Sequence, residues 1–439
     1  MRSSVGIFAC VAFHFTFLCS VVAQAPPGAQ SPAVPTHLTL DDAHRIALQN
    51  HPRIFAAQSF ASAAGEQVTE ARSAYFPNLY GSMTGVEADA GSRIAAGVLN
   101  NPIIFNRFAS GLAVDQLVTD FGRTQNLVGA ARAEAQAAQE GVNFTRADVL
   151  LSVDRAFYGA LSAQAVLRVA QQTVKQREIV SEQITALAKS NQRSGLDVSF
   201  ANVNLGEARL LLVKAQNDAQ AALAKLIEAL GLSGSPQFDL VDPAGSLPSL
   251  PPFDEALAAA ERNRPELAAA RFEADSARRF AVAERDLWMP SISLAGVAGV
   301  APFRQPQIPE TYSAGGFNVN FPIFNGRLFN ARRAEAEDRA REASAVFRDL
   351  QDRVARDVHL VWLAANTAQQ NLALTAQILD AANKALDLAQ ARYDLGLGNI
   401  VELSQAQLNQ AQASIAQATA KYDYATQFAE LLFQEGELR

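Results

Sequence analysis

The residues of this chain best suited to chemistry are histidines near its N-terminus. His37, His44 and His51 are spaced by seven residues, so on a helix they would share a face. Such a cluster could bind a metal ion, but no cysteine or paired carboxylate accompanies it. His359, far along the chain, is expected to lie at a helix interface. The sequence therefore predicts no metal site.

Signatures of catalysis and cofactor binding are absent from the sequence. It has no P-loop, no dinucleotide-binding glycine pattern and no nucleophile elbow. Its net charge of −7 provides no basic face for nucleic acid. We therefore expect neither an enzyme nor a protein with a cofactor, and no nucleic-acid partner.

Residues 1–23 have the pattern of a secretory signal peptide. Arg2 precedes an apolar stretch over residues 7–18, and small residues follow before Gln24. The only two cysteines lie in this segment, so the mature chain is expected to have no thiol chemistry. Lipid attachment at Cys19 is an alternative that lacks the usual small residue before the cysteine. No later run of 18 apolar residues predicts a transmembrane helix.

The rest of the sequence is organised as two related halves. The lead 24–37 precedes the first half, 38–232, and the proline-rich linker 233–252 separates it from the second half, 253–439. Matches recur in the same order over nearly 200 residues, which indicates an internal duplication. The matched pairs are Asn50-His51-Pro52 with Asn263-Arg264-Pro265, Tyr75-Phe76-Pro77 with Trp288-Met289-Pro290, Gly122-Arg123 with Gly326-Arg327, and Gly195-Leu196 with Gly396-Leu397.

Two short strands are predicted in each half, at about 76–88 and 106–119 and at about 290–301 and 312–323. Large apolar residues alternate in them with small or polar ones. On the strands alone, a transmembrane barrel and a soluble two-sheet sandwich both stay open as interpretations. In the barrel, the lipid-facing candidates are Phe108, Leu112, Phe317, Val319 and Phe321.

Long helices dominate the remainder of each half, which has the order helix, two strands, very long helix, turn and long helix. Residues 327–395 contain neither glycine nor proline. Apolar residues recur there in alternating steps of three and four from Ala336 to Tyr393, the pattern of a coiled-coil seam. A helix of this length extends about 100 Å. Gly195 and Gly396 are expected to allow positive φ at the turns of two helical hairpins.

Four strands are too few to close a barrel in a membrane, because such barrels need at least about eight. Open strand edges in lipid would leave backbone groups without hydrogen bonds. The strands must therefore be pooled among copies of the chain.

At this point the sequence resembles the TolC family of outer-membrane efflux proteins, or outer membrane factors. The likeness covers nearly the whole mature chain and is clearest at Phe321-Pro322-Ile323-Phe324-Asn325-Gly326-Arg327. The resemblance implies a mainly α fold with a small β part. Three copies would form a twelve-stranded outer-membrane β-barrel of four strands per protomer, and their coiled-coil hairpins would form a periplasmic α-barrel. Gly122-Arg123 and Gly326-Arg327 would be the barrel-to-helix junctions.

The same resemblance implies partners and a task. Members of this family dock to a periplasmic adaptor, or membrane fusion protein, and to an inner-membrane pump of the RND, ABC or MFS type. The homotrimer, in contact with outer-membrane lipid, would passively conduct substrates to the outside in efflux or type I secretion. Candidate adaptor-docking residues at the periplasmic turns are Gly195, Leu196, Gly396, Leu397 and Gly398.

Tyr393, Glu402 and Gln405 are the candidate pore-tip or gate residues implied by the resemblance. Glu402 falls where an acidic ring lines the pore, although a Glu in the first turn of a helix is also a favourable partner of the helix dipole. Tyr393 fits either seam packing or a gate. Gly398, Gln405 and Ala201 replace charged residues that some members carry, so no salt-bridge lock is expected at the tip.

The alternative function is a periplasmic coiled-coil adaptor or scaffold without a channel. An adaptor would have one hairpin flanked by β-rich modules, whereas this sequence predicts two hairpins and no such modules. The transported substrate and the pump class are not predicted.

Overall fold

The computed structural model describes residues 37–89, 91–92, 103–234, 236, 238–243 and 248–438. The expected signal segment with Cys19, and the lead as far as residue 36, lie outside these residues. The elements in chain order are β1 (His37–Leu38), α1 (Leu40–Asn50), α2 (Pro52–Ser73), β2 (Asn78–Val86), β3 (Arg107–Thr119), α3 (Arg123–Lys189), α4 (Gly195–Ala229), β4 (Asp239–Leu240), α5 (Phe253–Asn263), α6 (Pro265–Arg285), a 3₁₀ turn (Asp286–Trp288), β5 (Ser291–Arg304), β6 (Thr311–Asn320), α7 (Leu328–Asp394) and α8 (Ile400–Glu435).

Two helices, rather than the single predicted one, precede the strands in each half. Pro52 and Pro265 are the first residues of α2 and α6. A proline lacks the amide hydrogen that a continuing helix would use, so the chain bends before it and a new helix begins. Upstream, Thr39 caps α1, and its hydroxyl accepts a hydrogen bond of 3.2 Å from the amide of Asp42.

The main sheet has four antiparallel strands in the order β2-β3-β5-β6. Residues paired across strands share a face of the sheet. One face is mostly apolar and contains Leu79, Met83, Phe108, Leu112, Val114, Ile292, Leu294, Val300, Phe317 and Val319. The opposite face is mostly small or polar and contains Ser82, Gly111, Ala113, Ser293, Ala295, Gly299, Ala314 and Asn318, together with Tyr80 and Tyr312.

The last strand is shorter than its predicted range of 312–323. β6 ends at Asn320, so Phe321 lies one residue beyond the strand and not within it. Pro322 follows, and a proline cannot donate a hydrogen bond to a sheet. The alternating pattern does continue through Phe321, which is why the sequence extended the strand too far.

The helices α3 and α7 each contain 67 residues, a length of about 100 Å. Each long helix packs against two shorter helices, one near each of its ends. These are α2 and α4 for α3, and α6 and α8 for α7. Every buried residue of α7 belongs to the predicted seam; these are Ala336, Val354, Val358, Ala365, Ala389 and Tyr393. No helix in the described ranges combines the length and apolarity needed to cross a membrane.

The helices lie side by side in a similar order near the sheet and near the turns. Next to the sheet, contacts run α2-α3-α6-α7, and towards the turns they run α4-α3-α8-α7. One flank of the protein therefore consists of β2, α2 and α4, and the other consists of β6 and α7.

A glycine in the left-handed conformation, here called the closing glycine, follows the last helix of each repeat. Gly231 follows α4 with φ 68°, and Gly436 follows α8 with φ 72°. A Cβ on Gly231 would lie 2.8 Å from Cα of His51, and one on Gly436 would lie 2.7 Å from the carbonyl carbon of Asn263. The glycines thus allow the end of each hairpin to pack directly on the break between the first two helices of its repeat.

Candidate functional site at the helical turns and strand ends

The two hairpin turns lie at the same end of the helices but are built differently. In the second turn, Gly396 has φ 72°, as expected. In the first turn, Asn191 has the positive φ, of 59°, so the expectation for Gly195 is wrong. Gly195 is instead the first residue of α4, where Ser194 caps the helix together with Asp197. Asparagine tolerates the left-handed region better than most residues, and the positive φ therefore falls four residues earlier than expected, at Asn191.

Tyr393 lies in an apolar cluster that joins both hairpins. Its side chain packs with Ile184, Ala201 and Leu403 from the other three helices, and only 4% of the residue is exposed. Its hydroxyl has no hydrogen-bond partner within the described ranges, and burial raises its pKa above the usual value of 10.0. The structure thus places Tyr393 in the packing between the hairpins.

Arg193 connects the first turn to the second. Its Nη2 donates a hydrogen bond of 2.6 Å to the carbonyl oxygen of Tyr393, and its guanidinium lies 4.1 Å from the centroid of the Tyr393 ring. This stacked cation–π geometry is typical of arginine. The contact of Arg193 could not be predicted from the sequence, because its partner is 200 residues away and nothing local signals it.

Glu402 forms a charged contact within the second turn. Its amide donates a 2.8 Å hydrogen bond to the capping side chain of Asn399, and its Oε1 lies 3.2 Å from Nε of Arg392. The sequence predicted no salt-bridge lock at the tip, and this ion pair, which lies within the second turn, was not predicted. The nearby Gln405 is exposed and donates a hydrogen bond to Asn409.

Apolar residues protrude from the turns. Leu196 in the first turn and Leu395 and Leu397 in the second are all more than 60% exposed. Gly398 lies close against the second turn, where a Cβ would come within 3.3 Å of Cβ of Arg392. The tip therefore has exposed leucines, and the second turn is so tight that it leaves little room for a side chain at Gly398.

The junctions between strands and long helices use left-handed backbone. Gly122 caps α3 with φ 109°, and Gly326 and Arg327 precede α7 with φ 62° and 71°. At the first junction, Asp120 accepts hydrogen bonds from the amides of Gly122 and Thr124. Arg123 begins α3 and lies 3.8 Å from Glu284. These conformations turn the chain from the sheet into the helices.

Exposed aromatic residues mark all four strand ends on the helix side. Phe76 precedes β2, Phe121 follows β3, Trp288 precedes β5, and Phe321 and Phe324 follow β6. In the sequence, Phe76 and Trp288 marked the repeat, but a common band of aromatic residues was not predicted. Their shared level becomes visible only when the strands are aligned in the sheet.

The N-terminal histidines have separate roles. His44 contacts the buried Asp154 at 2.5 Å, and His51 caps α2 by accepting a hydrogen bond from the amide of Arg53. His37 lies 3.3 Å from Asp239 in the β1–β4 pair. Across the described part of the chain, no three His, Cys, Asp or Glu residues are grouped to hold a metal ion.

The fold is that of TolC-type channels, in which a small sheet is joined to long helical hairpins. The family model described as outer membrane efflux protein matches residues 44–232 and 256–436. The chain belongs to the outer membrane efflux protein family.

Individual relatives agree with this assignment. Outer membrane protein OprJ of Pseudomonas aeruginosa is 25% identical over 374 residues, which cover 82% of this chain and 76% of OprJ. Outer membrane protein TolC of Escherichia coli is 23% identical over 403 residues, covering 85% of this chain and 77% of TolC. The crystal structure of the Campylobacter jejuni CmeC outer membrane channel aligns with a TM-score of 0.79 at 16% identity, over 91% of this chain and 85% of CmeC.

Family membership confirms several of the predictions made from the sequence. The chain is an outer-membrane efflux or secretion channel protein and not an enzyme. Its mainly helical fold with a small strand part agrees with the predicted fold class.

Proposed function

We propose that this chain is one protomer of a trimeric channel that passively conducts substrates from a periplasmic adaptor and an inner-membrane pump to the outside. The observation that carries this proposal is that both flanks of the protomer, along its whole length, have strand edges or apolar helix surfaces that no other described element covers. Both flanks must be covered, and copies of the same chain provide matching surfaces.

Open strand edges are the first argument for three copies. Within the described part of the chain, β2 and β6 each pair with only one neighbouring strand, so one side of each strand has free backbone groups. In lipid these groups cost several kcal/mol each unless they are paired. Pairing β6 of one copy with β2 of the next in a ring of three gives a closed twelve-stranded barrel.

Exposed apolar stripes on the helices are the second argument. Val203, Leu210 and Val213 are more than half exposed on α4 and are spaced as in a heptad seam. On α7, Leu360, Leu374 and Leu388 are also more than half exposed, at steps of fourteen residues. Two such seams, on opposite flanks of one protomer, suit coiled-coil packing between neighbouring copies.

The two faces of the sheet support a position in the membrane. The apolar face, which carries Leu112, Phe317 and Val319, would contact lipid, and the small, polar face would line a water-filled lumen. Phe76 and Phe324, with the other exposed rings at the strand ends, would lie at the level of the lipid headgroups, where aromatic girdles occur.

The turns are the proposed partner site. Leu196 and Leu397, with Gly195, Gly396 and Gly398, would contact the hairpin of an adaptor, which links the channel to a pump of the RND, ABC or MFS type. Glu402 would contribute one carboxylate per copy to the narrow end of the lumen, where three together favour cations. Tyr393 would hold that end together by packing.

The mass and conductance of the purified protein test this proposal. We expect detergent-extracted protein to have three times the protomer mass by native mass spectrometry and to form stable, water-filled pores in planar bilayers. A single-copy particle without conductance would contradict it. Recovery of the protein in the soluble fraction after lysis without detergent would instead favour a periplasmic scaffold.

A further inference from the structure

The two repeats bury different residues at equivalent positions. Before its closing glycine, the first repeat has Leu230, which is fully buried. Before Gly436, the second repeat has Glu435, which is only 5% exposed. Both glycines are left-handed and pack on the helix break of their own repeat. The fold therefore accepts leucine at this position, and the second repeat has an ionisable group there instead.

The Glu435 carboxyl group lies in surroundings that disfavour its charge. Its Oε1 is buried and has no hydrogen-bond partner among the residues that the structure describes. One turn earlier, Leu431 packs with Ala256 of α5 and Val358 of α7 in an apolar cluster. The other charges that act on Glu435 are those of Glu437, just beyond α8, and Glu255 on α5, and both are negative.

The cations nearby have other partners or line a neighbouring cavity. Arg264 at the start of α6 donates hydrogen bonds to Gln434 and Glu266. A cavity of about 480 Å³ lies beside the end of α8, between α3, α5 and α6. Its charged lining residues are Glu140, Arg146, Arg262, Arg264 and Glu266.

Burial, followed by repulsion from Glu437 and Glu255, raises the pKa of Glu435 from 4.5 to about 7. Below pH 4.5 the carboxyl group is protonated both when the end of α8 packs against α5, the packed state, and when it has separated from α5, the opened state. Between pH 4.5 and about pH 7 the carboxyl group ionises in the opened state but stays protonated in the packed state. Packing of this segment is therefore strongest in acid and weakens as the pH rises through about 7.

We propose that Glu435 is a proton-binding site and that its protonation holds the C-terminal end of α8 against α5. The proton takes the role that the apolar side chain of Leu230 fulfils permanently in the first repeat. This coupling makes packing at the end of the second repeat tighter in acid, whereas at the break of the first repeat burial lowers the pKa of His51, so acid disfavours packing there.

Hydrogen exchange of the full-length protein in detergent tests this inference. Mass spectrometry of peptides covering residues 428–438 gives protection factors, corrected for intrinsic exchange, at pH 5 and pH 8. We expect protection at pH 8 to be at least about tenfold lower than at pH 5, since one pKa unit corresponds to a factor of ten. Peptides around Leu230 provide the internal reference and should not lose protection at pH 8, because burial lowers the pKa of His51 at their break and the neutral imidazole favours packing there.

Two substitutions separate the proton from the packing. Glu435→Gln stays neutral at both pH values, so its protection should no longer depend on pH. Glu435→Leu copies the first repeat and should be equally protected at pH 5 and pH 8. The matched control is Glu430→Gln in the same helix, whose carboxylate pairs with Arg155 at 2.9 Å and whose loss should leave the pH dependence intact.

Equal protection of the wild-type segment at both pH values would overturn the inference. So would a pH dependence that persists in both Glu435→Gln and Glu435→Leu. The measurement reports contacts within one copy, so its outcome does not depend on the number of copies in the channel or on its partners.

Discussion

Tyr312 covers two glycines on the small, polar face of the sheet. From β6 its ring reaches across β5 to β3, where its hydroxyl occupies the space next to Gly299 and Gly111. A side chain at either glycine would meet the ring and the backbone of the next strand. The glycines thus let an aromatic ring lie flat on this face, and on the proposed lumen wall a flat ring would occupy little of the pore.

Gly299→Ala should destabilise the sheet because the new methyl group would overlap with the Ser110 carbonyl oxygen and with Tyr312. Overpacking of this kind costs about 1–3 kcal/mol. We expect a lower thermal unfolding temperature of the purified protein. Gly316→Ala, on the same face with nothing within 4 Å, is the control and should leave the temperature unchanged. Equal effects of both substitutions would refute the role of the close contact.

The Arg392–Glu402 pair predicts opposite effects on ion selectivity. Glu402→Gln should reduce cation preference in planar bilayers, and Arg392→Gln should increase it by leaving the Glu402 carboxylate without its counter-charge. Charges about 4 Å apart in water interact by about 1 kcal/mol, so a change of about fivefold is expected at low salt. Selectivity that is unchanged in both variants would remove Glu402 from the pore.

At the scale of elements, the closing glycines connect each hairpin to the first helices of its repeat. Gly231→Ala should destabilise the protein by more than about 1 kcal/mol, because a left-handed residue with a Cβ is strained and the methyl group would also overlap with His51. The free energy of unfolding in denaturant provides the measurement.

A helical glycine in α3 is the comparison for that experiment. A methyl group added at Gly159 would have nothing within 4 Å, so Gly159→Ala should stabilise the helix by up to about 1 kcal/mol. If Gly231→Ala had the same stabilising effect, the packing of α4 on the helix break would not matter for stability.

The long helices show how much a periodic pattern can predict. The steps of three and four in α7 identified the seam, and all the buried residues of this helix belong to it. The same helix has a second apolar stripe through Leu360 and Leu374, which the sequence analysis did not separate from the rest. Periodicity locates apolar faces, but it does not tell which partner covers each of them.

At the scale of the whole molecule, the exposed stripes predict assembly. Leu210→Glu on α4 should shift detergent-extracted protein from three copies towards one in native mass spectrometry, because a charge in an apolar seam loses its solvation on assembly. Gln216→Glu, an exposed residue of α4 outside that stripe, should leave the mass unchanged. Three copies in the Leu210→Glu variant would argue against this seam as the interface.

The sequence by itself determined the repeat, the long hairpins, the seam of α7 and the strand pairs with one apolar face. Each of these follows from periodicity or from residues close in the chain, which act locally on φ, ψ and side-chain direction. The break at Pro52 was present in the repeat motif, yet its effect on the first helix was missed.

Only the tertiary structure decided which distant residues meet. The stacking of Arg193 on Tyr393, the ring of Tyr312 over Gly299 and the burial of Glu435 beside Glu255 all join elements that are far apart in the chain. Such contacts depend on how helices and strands pack against one another, and packing sums many small interactions that no single stretch of sequence encodes.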